Sequence, residues 1–148
     1  SWGNTLPRIS TMVVFKNNNT GKLMKVMNTH LDRQSNNSRV RSIELILRNL
    51  MTESEEMPLI LLGDFNVRVE DDIIVRVKEY FKDTYSGNEL EGCTFHGWNG
   101  GSHCSRIDYI FYEGNEKLSL VDFTIDRWKS KQLYPSDHYP LVAKFKLN

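Results

Sequence analysis

The sequence predicts a layered fold of the α/β or α+β class, and three observations carry that expectation. Segments rich in β-branched and aromatic residues alternate with segments whose apolar residues recur at helical spacing. One segment, Leu59-Ile60-Leu61-Leu62, is apolar throughout, the pattern of a central strand buried on both faces. At 148 residues the chain is long enough for one domain with a real core, since a chain of this size buries roughly 70% of its unfolded surface.

Taken in order, residues 9–16 are rich in β-branched and aromatic side chains and read as a strand. Residues 17–21 carry three Asn and a Gly, which tolerate positive φ, so they read as a turn. Residues 22–31 then form a second strand and close a hairpin. Residues 35–38 are polar and able to cap a helix, and Val40, Ile43, Ile46, Leu47 and Leu50 follow at helical spacing. Pro58 ends the linker before the apolar run. Residues 71–81 place Ile73, Ile74, Val77 and Phe81 on one face of a second, short helix. Residues 86–105 are Gly-rich and loop-like. Residues 107–112 and 118–125 read as strands, 127–136 as a polar loop, and 141–147 alternate as a closing strand.

Composition excludes several classes. With 39% hydrophobic and 26% charged residues the chain is neither disordered nor fibrous. Its longest uncharged apolar run, residues 58–63, is too short to cross a bilayer. Nineteen basic and 19 acidic residues give zero net charge, so any anion binding must be local. Arg39 and Arg41, Arg68, and Arg127, Lys129 and Lys131 form no dense run; a small phosphodiester or phosphomonoester fits this balance better than long nucleic acid. The chain opens on Ser1-Trp2-Gly3, so a processed product is expected and any targeting segment would lie upstream; a soluble, cytoplasmic setting is favoured.

Polar residues gather at four strand ends: Asn28-Thr29-His30-Leu31-Asp32, Gly63-Asp64-Phe65-Asn66, Arg106-Ile107-Asp108-Tyr109 and Ser136-Asp137-His138. Strands that stop on one sheet edge pool their last residues, and ligands favour such edges. Pooled, Asp64, Asp108 and Asp137 supply three carboxylates, Asn66 an amide, and His30 and His138 two imidazoles. Hard oxygen donors suit Mg²⁺ or Mn²⁺ better than zinc, and His transfers protons near neutral pH. A hard cation with carboxylates and His suits hydrolysis of a phosphate ester. Singly, each of these Asp and His residues reads as readily as a turn, cap or core residue; the coincidence of four clusters carries the functional reading.

In this order the four motifs resemble those of the endonuclease/exonuclease/phosphatase superfamily, with its DNase I-like fold. The stretch from Trp2 to Thr11, with Leu6-Pro7-Arg8, resembles the approach to this region in bacterial members. The resemblance implies a four-layer α/β/β/α sandwich with the active site at one edge of packed sheets. It implies that Asp64 orients or deprotonates the attacking water, that Asn66 holds the scissile phosphate, and that His30 contacts a phosphate oxygen or protonates the leaving group. His138 would contact the phosphate and act as acid or base, with Asp108 fixing its orientation and tautomer. The implied metal set is Asp64, Asn66, Asp137 and His138, holding Mg²⁺ or Mn²⁺. Arg68 is placed to reach substrate, as in some relatives, and reads at least as readily as a solvated loop cation. The base is left open between Asp64 and His138. The partner is a phosphate ester, nucleic acid among the candidates, because such motifs handle the phosphate rather than what it is attached to.

Members of that superfamily begin with a strand bearing an active-site Asn and a later Glu that is the main metal ligand. No Glu here stands in a matching context, so residues 1–148 are expected to be the C-terminal part of such a domain. Weak metal binding, little activity and self-association through uncovered sheet surface are the matching expectations.

Other readings compete locally. A fold that kept its shape and lost its chemistry would be a binding or scaffold domain. Cys93-x-x-His96 with His103-Cys104 offers four zinc donors, though adjacent ligands suit one tetrahedral ion poorly. The two cysteines read as buried or loop thiols; pairing would need export. Trp98 is positioned to stack on a base or sugar, or to pack under its own loop, and packing is the expectation.

Overall fold

The computed structural model describes residues 1–51, 57–102 and 104–148. Its elements are β1 (Ser10–Lys16), β2 (Leu23–His30), α1 (Asn36–Met51), β3 (Leu59–Asp64), α2 (Asp72–Lys78), β4 (Lys82–Asp83), a 3₁₀ turn (Glu89–Glu91), β5 (Asp108–Tyr112), β6 (Leu118–Ile125) and β7 (Leu141–Leu147). Five strands form one sheet in the order β1-β2-β3-β5-β4, and β6 and β7 form a second, two-stranded sheet. The expected hairpin is β1–β2, paired antiparallel; β2 and β3 run parallel with α1 as the crossover, and β3 meets β5 antiparallel.

The apolar run lies at the middle of the larger sheet because it feeds two cores. Side chains alternate across a strand. Leu59 and Leu61 join Ile43, Ile46, Leu47 and Leu50 of α1 and Ile73, Ile74 and Val77 of α2 on one face. Ile60 and Leu62 meet Leu118, Phe123, Leu141, Ala143 and Phe145 of the small sheet on the other. Each fully buried leucine here contributes about 1.5–3 kcal/mol over an exposed one. The described layers are therefore helix, five-stranded sheet and two-stranded sheet, in the α/β class the sequence predicts.

Local chemistry sets the helix ends. The Ser35 hydroxyl accepts from the Ser38 N–H at 3.1 Å and opens α1. The Asp71 carboxylate accepts from the Ile73 N–H at 3.0 Å and opens α2. One position of the helical stripe differs from expectation. Val40 is exposed, while Ser38 before it and Ile43 after it are buried. The two-residue strand β4 had no pattern to announce it; it exists because Lys82 and Asp83 lie against Tyr112 and Phe111 of β5. All seven residues of β1 are exposed, Met12, Val13, Val14 and Phe15 among them, so the sheet ends on an uncovered apolar edge strand.

Candidate active site

Sheet register assembles the first three site residues. His30, the last residue of β2, pairs with Asp64, the last of β3, and Asp64 pairs with Asp108, the first of β5. Residues on adjacent rungs point to the same face, so the three side chains stand in a row along the sheet edge. His30 Nε2 lies 3.4 Å from Asp64 Oδ2. His138 arrives from the segment before β7, and its Nδ1 lies 2.8 Å from Asp108 Oδ2.

The motif residues between these side chains are structural, and each has a physical reason. Gly63 has φ +137° and faces Thr29 of the parallel neighbour; a Cβ there would lie 1.8 Å from the Thr29 carbonyl oxygen. Phe65 is fully buried and meets Tyr109 and Phe111 edge-on, both at 5.4 Å, which anchors the turn after β3. The Tyr109 hydroxyl donates to the carbonyls of Val67 and Arg106, and burial pushes its pKa far up, so it remains protonated. Arg106 is buried, pairs with Glu89 and Asp83 at 2.7 and 2.8 Å, and holds the loop after β4 against the start of β5.

A positioning residue outside the four strand-end clusters is Thr94. It is fully buried, and its hydroxyl accepts from the N–H groups of both Ile107 and Asp108, at 3.0 and 3.2 Å. Its carbonyl accepts from the Tyr139 N–H at 2.7 Å. One residue thus ties the strand that carries Asp108 to the segment that carries His138. Phe95 lies beside the His138 ring, 4.9 Å between centroids. The partners of Thr94 are 13 and 14 positions away in sequence, which is why only its neighbourhood to the Gly-rich loop was legible.

Two expectations about this loop are corrected. Cys93 and Cys104 are joined in a disulfide instead of standing as separate thiols. The N–H groups of Thr94 and Phe95 both donate to the Ser105 carbonyl, drawing the flanking backbones together to a Cα separation of 4.8 Å. That pairing occupies both sulfurs, so the zinc reading has lost two of its four donors; His96 is buried between Tyr134 and Tyr139, and His103 lies outside the described residues. Trp98 does not pack under its loop: it is 60% exposed, at φ +70°.

The remaining sequence-predicted residues surround the cluster. Asn66, at φ +55°, donates its backbone N–H to Asp64 Oδ1 at 2.8 Å and its side-chain amide to the Leu31 carbonyl at 2.9 Å. Asp137 gives its backbone carbonyl to the N–H groups of His96 and Gly97. Ligand atoms of Asp64, Asp108 and His138 lie within 4.8 Å of one another. Asp137 stands outside that trio but lines the same cleft of about 960 Å³ as His30, Asp64, Asn66, Arg68 and His138. Arg68 donates to the Ser105 hydroxyl at 3.0 Å on the rim. Trp98 is not among the residues lining that cleft.

Electrostatics distinguishes these groups. Burial first, and then the Asp108 charge, raise the Asp64 pKa against the opposing pull of the Asn66 N–H and of His30 and His138. Burial opposes a charged His138, but the hydrogen bond and charge of Asp108, with Asp64 and Asp137 behind it, outweigh burial and raise its pKa. Two close carboxylates with an imidazole form a donor set that a divalent cation would relieve of like-charge repulsion.

Residues 3–138 match the model of the endonuclease/exonuclease/phosphatase family, and the chain belongs to that family. None of the curated proteins matches it. Among solved structures it is similar to an endonuclease/exonuclease/phosphatase from Bacteroides vulgatus, with 29% identity and a TM-score of 0.84 over 99% of this chain and 58% of that one. It is also similar to a mannosyl-6-phosphatase from Bacteroides thetaiotaomicron, with 26% identity and a TM-score of 0.82 over 99% of this chain and 60% of that one. A conserved protein of unknown function from Enterococcus faecalis shares the fold, with 24% identity and a TM-score of 0.85 over 99% and 59%. The chain thus spans about three fifths of the length of these structures. The DNase I-like fold and membership of a family of phosphoesterases follow. No helix among the described residues is long and apolar enough to cross a membrane.

Proposed function

We propose that this chain carries the catalytic edge of a divalent-metal-dependent phosphoesterase that hydrolyses a phosphomonoester or phosphodiester by in-line attack of water. The observation that carries the reading is the convergence of Asp64, Asp108 and His138 donor atoms within 4.8 Å at one sheet edge, with His30 beside them. Asp64 and Asp108 would hold Mg²⁺ or Mn²⁺, with His138 beside them and Asp137 and Asn66 at the border of the site. The ion would neutralise phosphate charge and stabilise charge developing in the transition state. Asp64, held by the Asn66 N–H, orients the attacking water. Asp108 fixes the His138 ring through Nδ1, leaving Nε2 toward the phosphate as donor or acceptor. His30, more than half exposed, is free to meet the leaving group. Arg68 reaches the substrate from the rim.

The mannosyl-6-phosphatase supports a sugar phosphate as one substrate class. We read residues 1–148 as the C-terminal part of an endonuclease/exonuclease/phosphatase domain, and the apolar edge β1 as a surface for self-association. The Cys93–Cys104 disulfide favours an oxidising compartment over the cytoplasm. Hydrolysis assays with Mg²⁺ against p-nitrophenyl phosphate, bis(p-nitrophenyl) phosphate and mannose 6-phosphate test the reading. Turnover abolished by His138→Ala and by chelation supports it. Low turnover and weak Mg²⁺ binding are expected of a C-terminal part; a folded protein with no turnover of any of these and no calorimetric Mg²⁺ binding at all would instead support the scaffold alternative.

A further inference from the structure

The cleft has unequal walls. Beyond His30, the turn between β2 and α1 brings Arg33, and the first turn of α1 brings Arg39, to its lining, with Arg8 beside them. Asp32 is the one carboxylate that this wall sets against the three guanidinium groups. It is buried; its Oδ1 accepts the N–H groups of Gln34 and Ser35, and its Oδ2 lies 3.6 Å from Arg8 Nε. Arg39 is held by neutral acceptors only: the carbonyls of Asp32 and Arg33, at 2.9 and 3.1 Å, and the Asn36 amide oxygen at 3.3 Å. Its charge is oriented but not cancelled. Arg33 is exposed, and its side chain makes no hydrogen bond or ion pair among the described residues. Glu70 and Asp71 line the cleft near Arg68, and Asp71 is committed to capping α2.

We propose that Arg33 and Arg39 form a second phosphate subsite, so that the substrate carries two phosphate groups, one over the Asp64–Asp108–His138 cluster and one on this wall. The proposal rests on the phosphoesterase reading and narrows its substrate class. Distance permits it. Arg33 follows His30 by three residues, so their backbones are at most about 10 Å apart. Two long side chains can then span to a second phosphate on the same small molecule. Chemistry favours phosphate over other anions, because a planar guanidinium offers paired donors that match its oxygens. An excess of two positive charges on this wall, in a chain of zero net charge, is also where a doubly phosphorylated ligand would gain most over a singly phosphorylated one.

The test is calorimetric titration of the full chain without added metal, so that binding is read apart from turnover. Two ligand pairs separate the two sources of the second phosphate: mannose 6-phosphate against mannose 1,6-bisphosphate, and adenosine 5′-monophosphate against adenosine 3′,5′-bisphosphate. At least one bisphosphate should bind about tenfold tighter than its monophosphate, the worth of one charge-assisted contact. Arg33→Gln should close that gap to less than about twofold, and Arg33→Lys should restore part of it. The pair that shows the gap names the scaffold. Equal affinity within both pairs, or a gap that survives Arg33→Gln, overturns the proposal. Failure of hydrolysis while the gap persists counts against the phosphoesterase reading and leaves the subsite standing.

Discussion

Two carboxylates end neighbouring parallel strands, and they do opposite work. Asp32, just past β2, is clamped on one oxygen by two backbone N–H groups, while its other oxygen faces the Arg8 charge at 3.6 Å without a hydrogen bond. The Ser35 N–H leads the effects that hold its pKa below the ordinary value, with the Gln34 N–H and Arg8 overcoming burial. Asp64, ending β3, has one backbone N–H and a second carboxylate nearby, and its pKa is raised. The same residue type at the same sheet edge is a structural clip in one turn and a strained, open anion in the other. Neighbours decide, not identity or secondary-structure position.

That contrast breaks most sharply at Asp64. Asp64→Asn should lower turnover by about 10²- to 10⁴-fold, the usual worth of a group acting in proton transfer. Stability should move the other way. A carboxylate with a raised folded pKa favours the fold only below its unfolded value, and that contribution is lost as pH rises through the folded value. At neutral pH the ionised Asp64 is a cost, so Asp64→Asn should keep or raise the melting temperature in a thermal scan. A lowered melting temperature would mean that Asp64 is a clip like Asp32.

The disulfide comes next. Cys93→Ser with Cys104→Ser should cost about 3 kcal/mol in denaturant unfolding, the chain-entropy value for a loop of this order. Because the bridge flanks Thr94, activity should fall more steeply with temperature in this variant than in the parent.

Asp32→Ala should lower the melting temperature while sparing turnover per folded molecule. Its sign with pH is opposite to that of Asp64. With a lowered folded pKa, Asp32 stabilises above its unfolded value, and the contribution disappears as pH falls through the folded value. Acid titrations of unfolding should therefore show a steeper acid limb in the parent than in Asp32→Ala.

Smaller still is a shift in one pKa. Asp108→Asn removes the charge that outweighs burial at His138, so the imidazole should titrate at lower pH in a proton NMR titration. No downward movement would mean that Asp108 serves the metal alone. Smallest of all, Trp98→Ala should change stability by less than about 0.5 kcal/mol, as for an exposed side chain away from core contacts.

Much of this molecule is readable from local pattern. The apolar run of β3 reflects burial on both faces, the helical stripe of α1 and the alternation of β7 burial on one, and such patterns record burial directly. The four motifs are legible as well, because their residue types and order form one recognisable set, even though Gly63, Phe65 and Arg106 answer to Thr29, Tyr109 and Glu89 far along the chain. The Thr94 hub, the Cys93–Cys104 bridge and strand β4 are different. Each depends on a partner brought near by the fold, and no local periodicity encodes such a partner.

The sequence by itself therefore determined the layered class, the order of elements and the residue types at the sheet edge, because hydrophobic spacing and turn chemistry act over a few residues. Only the tertiary structure decided which of those polar residues are functional candidates. Register set His30, Asp64 and Asp108 in one row; Thr94 delivered His138 to it; and burial with neighbouring charge separated Asp64 from Asp32. Those are interactions through space, and they acquire their strength and sign only once the chain has brought distant groups within a few ångströms in a medium less polar than water.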